Sequence, residues 1–297
     1  MKLITLNTHS LVEADYPEKL RLFAEAVLRE RPDVIALQEV NQSRTVAPVD
    51  WENLEESGFV ACGEVSGESE IPVRRDNHAY RLAELLGRKG NPYFWSWVPA
   101  KVGYGKYDEG TALFCRFPIL EAKWFYSTGT RDYEDWKTRK VLGICVEIEG
   151  EKRRFFSVHM GWWGDETEPF EEQWKRIEAR TKTYAGMECW LMGDFNAPAH
   201  VKGEGYQLVR ESGWFDTYDL ARSRDTGFTV RGSIDGWREG APQDGMRIDY
   251  IWVNRRVSVR RSAVVFDGNN YPIVSDHFGV MAECEPAERA QEGEQKR

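Results

Sequence analysis

Several things are scarce in this sequence, and each scarcity excludes something. No stretch approaches the roughly 20 apolar residues that would span a bilayer. The apolar run Leu3–Leu6 meets Asn7, Thr8 and His9 at once, too soon for a signal-peptide core. The expectation is a cytoplasmic protein with no membrane partner. The five cysteines, Cys62, Cys115, Cys145, Cys189 and Cys284, form no C-x-x-C pair. That excludes a zinc ribbon or a dithiol redox motif, and it suits reduced, buried thiols. Positive charge is short as well: the net charge is -9. Non-specific binding of nucleic acid draws its affinity from a basic face, so a long nucleic-acid partner is disfavoured. There is no linker-like or repetitive segment. Residues 1–285 are therefore expected to form a single catalytic domain, and 286–297 a polar tail.

What is present is an ordinary globular composition, 41% hydrophobic and 30% charged, with an unusual 12 tryptophans. The chain opens strand, helix, strand. Leu3–Leu6 ends at Asn7, a helix starts near Asp15-Pro17 and carries Leu20, Phe23, Ala24, Val27 and Leu28 at helical spacing, and Val34–Leu37 ends at Gln38-Glu39. Residues 41–76 read as a long irregular surface loop, a candidate lid over the site. A helix over Ala79–Leu86 is expected to stop at Gly87. Strand-like runs follow at Tyr93–Val98, Thr111–Cys115, Val141–Glu149 and Arg153–His159, then a helix over Glu171–Tyr184. The last strands are Cys189–Met192, Ile248–Val253, Val257–Phe266 and Phe278–Cys284. This irregular alternation predicts two sheets covered by helices.

Polar residues recur where apolar strands end: Asn7, Glu39, His159, Asp194 with Asn196, Asp249, and Asp276 with His277. Strand ends are rigid platforms, so this pattern predicts one shared cleft. Oxygen donors such as Glu39, Asp194 and Asp276 suit Mg²⁺, with Mn²⁺ as a substitute, and not a soft metal. Two imidazoles beside carboxylates suit phosphate binding and proton transfer. A lone Asp in a turn is usually a turn former. Gly193-Asp194-Phe195-Asn196 and Ser275-Asp276-His277, in order and downstream of Gln38-Glu39, form a far more specific set.

With Leu6-Asn7, Asp108-Glu109-Gly110, Ser157-Val158-His159 and Arg247-Ile248-Asp249-Tyr250 added, the chain resembles the endonuclease/exonuclease/phosphatase superfamily from residue 3 to about 284. The resemblance implies an α/β (α+β) fold, a four-layer α/β/β/α sandwich of two packed, mainly antiparallel sheets flanked by helices. It implies metal-assisted attack of water on a phosphate ester. Glu39 would be the principal metal ligand, with Asn7 and Asp276 beside it. Asp194 would deprotonate the attacking water, and Asn196 would hold a phosphate oxygen. His277, kept in its tautomer by Asp249, would steady developing charge. His159 would be a second acid or base near the leaving group, paired with Glu109 as in the deoxyribonuclease branch, with Tyr107 close by.

The superfamily runs several reactions on one fold, so the substrate must be argued from the site. Lys137–Gly143 and Gly161-Trp162-Trp163 look similar to a bacterial branch that includes the maltose 6'-phosphate phosphatases. The expectation is a phosphatase for a small soluble, sugar-type phosphate, with a nuclease acting on DNA or RNA as the alternative. Arg139, Trp162 and Trp163 are the first candidates for substrate contact. Arg75, Lys106, Lys140, Arg247, Trp136 and Trp237 are further ones. His78 and His200 read as structural or surface residues, and His9 as a marginal neighbour of the site.

Overall fold

β1 (Lys2–Asn7) is buried on both faces from Leu3 onward, so it reads as a continuous apolar run and not as an alternating one. α1 (Tyr16–Glu30) begins with proline in its first turn and buries Leu20, Phe23, Ala24 and Val27. It ends at Arg31, whose left-handed backbone sends its N–H to the Val27 carbonyl; Pro32 follows and blocks continuation. The computed structural model describes residues 1–63, 71–232 and 245–285.

The remaining elements are β2 (Val34–Ser43), α2 (Trp51–Glu56), α3 (His78–Arg88), β3 (Phe94–Gly103), β4 (Tyr107–Cys115), β5 (Ile119–Tyr126), β6 (Lys140–Ile148), β7 (Glu151–His159), α4 (Phe170–Lys182), β8 (Glu188–Asp194), α5 (Gly205–Glu211), β9 (Phe215–Asp216), α6 (Thr217–Leu220), β10 (Ala221–Arg224), β11 (Asp249–Val253), β12 (Val259–Val265) and β13 (Gly279–Cys284). They form two sheets. One runs β10-β12-β13-β1-β2-β4-β3 and the other β5-β6-β7-β8-β11-β9. Pairings are mainly antiparallel, with parallel contacts at β1–β2, β10–β12 and β7–β8.

Side-chain parity sets the layers. Alternate residues of the first sheet (Leu3, Val34, Ala36, Leu113) meet Leu142, Ile144, Phe155 and Met192 of the second in one central core. The intervening residues (Ile4, Leu6, Ile35, Leu37, Trp95, Phe114) pack outward under α1 and α3. On the far side, Val141, Phe156, Val158 and Leu191 pack under α4 and α5. The result is the expected four-layer α/β/β/α sandwich. Each large side chain buried in these layers stabilises it by about 1.5–3 kcal/mol.

Two local readings are corrected. Residues 41–76 are not one irregular loop. β2 runs on to Ser43, and α2 occupies Trp51–Glu56 under Asp50. Residues 64–70 of that segment lie outside the described residues, as do 233–244 with Trp237 and the tail 286–297. The α3 helix passes through Gly87 to Arg88, and the positive φ that ends the turn falls at Gly90. A helical Gly costs about 1 kcal/mol relative to Ala, less than the packing of Leu82, Ala83 and Leu86 contributes.

Candidate active site

Where the two sheets part, the inner faces turn from apolar to polar. Gln38 of β2 donates to the Ser157 hydroxyl of β7 at 2.9 Å, and that hydroxyl donates to the Leu37 carbonyl at 2.9 Å. This bridge ties the sheets together next to Glu39 and His159, which line a cleft of about 210 Å³.

β-bulges aim the residues above it. Leu37 pairs with Ala112 but Val40 pairs with Gly110, so Gln38 and Glu39 together oppose Thr111. The extra residue turns Glu39 inward with a left-handed φ of 51°. A second bulge, between Pro99 and Lys101, brings Lys101 opposite Glu109. Gly110 permits the close approach of these strands, since a Cβ there would lie 2.0 Å from the Val98 carbonyl oxygen. Gly193 does the same for β8 beside β7, where a Cβ would lie 1.9 Å from the Val158 oxygen.

In the second sheet, His159, Asp194 and Asp249 stand in one registered row across β7, β8 and β11. The Nε2 atoms of His159 and His277 lie 3.7 and 4.0 Å from the same Asp194 oxygen. His277 Nδ1 bonds Asp249 at 3.0 Å, as expected. Asp194 accepts from the Asn196 backbone N–H at 2.8 Å, and Asn7 donates from one amide nitrogen to Glu39 at 2.9 Å and to Asp194 at 3.2 Å. Asn7 therefore turns its nitrogen to the carboxylates and orients them; it does not offer an oxygen ligand there. Asn196 also donates to the Met160 carbonyl at 3.0 Å from a left-handed backbone.

The opposite wall is cationic and aromatic. Lys101 pairs with Glu109 at 3.0 Å and donates to the Trp136 carbonyl. Arg139 donates to the same carbonyl at 2.7 Å and is buried, with Nε lacking a partner among the described residues. Trp136 and Trp162 pack with ring centroids 5.7 Å apart.

Electrostatics separates the two imidazoles. Burial disfavours the charge of His277, but Asp249, Asp194 and Asp276 outweigh it and hold the pKa well above the ordinary value. His159 is pushed well down, first by burial and then by Arg139, Lys101 and His277. Burial and the nearby Asp249 raise Asp194 to about 7. Glu39 is raised by burial and by the charges of Glu109 and Asp276.

Glu39, Asp194, Asn196, Asp276, His277, His159, Glu109, Arg139 and Trp162 all line the cleft, while Asn7 and Asp249 stand directly behind it. Three expectations are corrected. Among the described residues no hydrogen bond or ion pair joins Glu109 to His159, because the bulge at Lys101 places an ammonium on that carboxylate. Tyr107 is buried and donates to the Leu11 carbonyl. Trp163 packs on the buried Phe170 of α4 and is not among the cleft-lining residues. Of the further candidates, Trp136 lines the cleft. Arg75 pairs with Asp50, Lys106 lies over Tyr107, Lys140 lies over Trp124, and Arg247 pairs with Asp216 among Tyr206, Tyr218 and Tyr250. His78 is buried against Tyr16 and Phe23, and His200 is exposed.

Lys101 and Tyr104 are cleft residues that the sequence pattern does not single out, and His9, a marginal neighbour on that pattern, lines the cleft as well. His9 bonds Glu13 at 2.7 Å and lies 3.9 Å from Asp276. Donor atoms of His9, Glu13 and Asp276 fall within 4.8 Å of one another, as do those of Asp194, Asp249 and His277. The donor set fits a hard divalent cation: mutually repelling carboxylates, Glu39 and Asp276 among them, crowd one side of the cleft, and a cation would relieve that repulsion.

The chain matches the Endonuclease/Exonuclease/phosphatase family over residues 4–277. No curated protein matches the sequence. Among solved structures, an endonuclease/exonuclease/phosphatase family protein from Leptotrichia buccalis C-1013-b is 32% identical with a TM-score of 0.81, over 96% of this chain and 100% of that one. The mannosyl-6-phosphatase of Bacteroides thetaiotaomicron VPI-5482 shares the fold at 19% identity and a TM-score of 0.64, covering 96% and 100%. TDP2 of D. rerio, complexed with single strand DNA product, shares it at 16% and 0.60, covering 96% and 99%. Family members generally depend on a divalent metal, and no helix among the described residues is long and apolar enough to cross a membrane. The family match runs through every strand that carries a cleft carboxylate or imidazole, and the chain belongs to the endonuclease/exonuclease/phosphatase family of phosphate-ester hydrolases.

Proposed function

We propose that this protein is a Mg²⁺-dependent phosphatase of a small, soluble, sugar-type phosphate ester, with residues 1–285 as one catalytic domain. The observation that carries the proposal is the two-walled cleft. A carboxylate wall faces a cationic and aromatic wall across about 210 Å³, room for one compact ester. Arg139 and Lys101 supply positive charge inside the cleft of a protein whose net charge is -9. A duplex would need such charge spread along a groove. Trp136 and Trp162 offer apolar surface of the kind that packs on a sugar face. The substrate named for the Bacteroides relative belongs to the same chemical class.

In this reading Glu39 and Asp276 would hold Mg²⁺, with Asn7 orienting Glu39; when bound, the ion would supply positive charge to offset that of the phosphate oxygens. Asp194, with its pKa near 7, accepts a proton from the attacking water near neutral pH. His277 is held cationic by Asp249 and donates to a phosphate oxygen, as do Asn196 and Arg139. His159 sits on the leaving-group side. Because its pKa is depressed, it serves there as a neutral hydrogen-bond donor more than as a source of a full proton.

The test is release of inorganic phosphate from a panel of hexose phosphates, inositol phosphates and nucleotides with Mg²⁺, run beside plasmid and short-duplex nicking. The proposal expects release from a sugar phosphate with DNA left intact. Nicked DNA without phosphate release would make the protein a nuclease.

A further inference from the structure

The β3–β4 hairpin tip brings Gly103 and Tyr104 to the cleft. Tyr104 and Gly105 are the central residues of a tight turn closed by the Lys106 N–H on the Gly103 carbonyl, and both have positive φ, 51° and 67°. Such turns favour Gly, Asn or Asp, and a bulky ring there is strained. Tyr104 is nevertheless 47% exposed, so burial does not compensate the strain. Its hydroxyl lies 3.0 Å from His9 Nε2, and the two rings meet edge to face at 5.7 Å. His9 is also left-handed, at φ 47°. A strained ring-bearing residue held by a partner, on a cleft, is the pattern of a functional constraint.

The sheet order shows what the contact spans. His9 follows β1 and Tyr104 follows β3, and between those strands lie β2 and β4, which carry Glu39 and Glu109. At ordinary strand spacing β1 and β3 stand about 14 Å apart. The His9–Tyr104 contact is therefore a strap over the two strands that present carboxylates to the cleft, and both of its residues line the cleft.

We propose that Tyr104, latched by His9, is a specificity-determining residue that admits phosphate esters of compact alcohols and excludes esters on an extended chain. This rests on the proposed function and names the feature that would set its substrate size. Tyr104 acts by occupying space at the mouth, so its removal should change which esters enter more than how fast an admitted one reacts.

The test uses two phosphate monoesters of primary alcohols that differ in bulk: a hexose 6-phosphate and a short single-stranded oligonucleotide with a 5′-phosphate. Phosphate release is measured for the full chain with Mg²⁺. Tyr104→Asn removes the ring but suits the left-handed turn, so its melting temperature should match or exceed that of the unaltered protein. The oligonucleotide-to-hexose ratio of kcat/KM should rise about tenfold or more, the scale on which steric pocket walls discriminate. That rise should come mainly through KM for the oligonucleotide. Tyr104→Phe keeps the ring without the latch and should give an intermediate ratio. An unaltered protein that prefers the hexose ester, with an unchanged ratio in Tyr104→Asn, would overturn the strap alone. An unaltered protein that releases phosphate from both esters equally, or from neither, would overturn the substrate reading and the strap with it.

Discussion

His159 and His277 approach one oxygen of Asp194 from different strands, at 3.7 and 4.0 Å, and both are buried. Burial alone would make both neutral. They diverge because of what stands behind each ring. Asp249 backs His277 at 3.0 Å and keeps it cationic. At His159 nothing offsets burial, and Arg139 and Lys101 add to it, so the ring stays neutral. The same division runs through the whole cleft. The wall from Glu39 to Asp276 collects negative charge, and the wall from Lys101 to Trp162 carries cations and rings. A phosphate ester needs both: the first wall suits a metal and a base, the second an anion and its alcohol. Side-chain type is the same at the two imidazoles, so the neighbours set the chemistry.

The comparison can be broken most severely at Asp194, the group both imidazoles share. Asp194→Asn should lower kcat by about 10²–10⁴-fold, the usual worth of a positioned base, with the circular dichroism spectrum unchanged. Near-normal turnover would remove Asp194 from the role of base. Next is Asp249→Asn, which takes the carboxylate from behind His277. The His277 pKa should fall, so that the ring loses its proton at lower pH than in the unaltered protein. Imidazole NMR would follow this, while His159 stays neutral. Activity should drop by about 10²-fold, within the range for a group engaged in proton transfer. If His277 titrated as before, its charge would not depend on Asp249.

On the cationic wall, Lys101→Met leaves Glu109 buried and unpaired. Breaking such a pair typically costs about 3–5 kcal/mol, readable as a shift in urea midpoint. Adding Glu109→Gln should restore most of it, because the stranded charge is then gone. A double variant as unstable as the single one would mean that Lys101 matters for packing and not for the pair.

A further prediction concerns an imidazole remote from the cleft. His78 lies against Tyr16 and Phe23, where burial lowers its pKa to about 3. The unfolded chain takes up a proton on this residue as pH falls below about 6.5, while the folded chain resists until about 3. Its contribution is therefore complete above the unfolded pKa and drains away as pH falls through that window, by about 1.4 kcal/mol per pH unit. The stability difference between the unaltered protein and His78→Gln should be flat above pH 7 and should shrink below pH 6. A difference that stays constant down to pH 4 would show that His78 is not held neutral.

Much of the site was legible because its residues flank short apolar runs. His159 and Asp194 end β7 and β8, Asn196 follows β8, and Asp276 and His277 precede β13. Glu39 follows the apolar run Val34–Leu37 but stands inside β2, turned into the cleft by a bulge and not by a strand end. The misses share a cause, which is that a β-bulge changes the direction of a side chain without changing the pattern of residue types. Lys101 lies past the expected end of the Tyr93–Val98 run, in β3 after the irregularity at Pro99 that turns it onto Glu109, and its ammonium occupies that carboxylate. The Pro99 inside an apolar strand was the available signal, since proline in a strand marks an edge or a bulge. Tyr104 was hidden because the ring stands at a turn position normally held by Gly or Asn. Asn7 was expected beside the metal; its side chain is instead turned by a long-range contact between β1 and β8 that no local pattern contains.

The division of the cleft into a metal wall and a phosphate wall is tested most directly by Mn²⁺ binding, followed by electron paramagnetic resonance in the absence of substrate. The account predicts that Glu39→Gln binds Mn²⁺ markedly more weakly than the unaltered protein, whereas Arg139→Gln binds it as tightly or more tightly. Unweakened binding in Glu39→Gln, or a loss confined to Arg139→Gln, would contradict it.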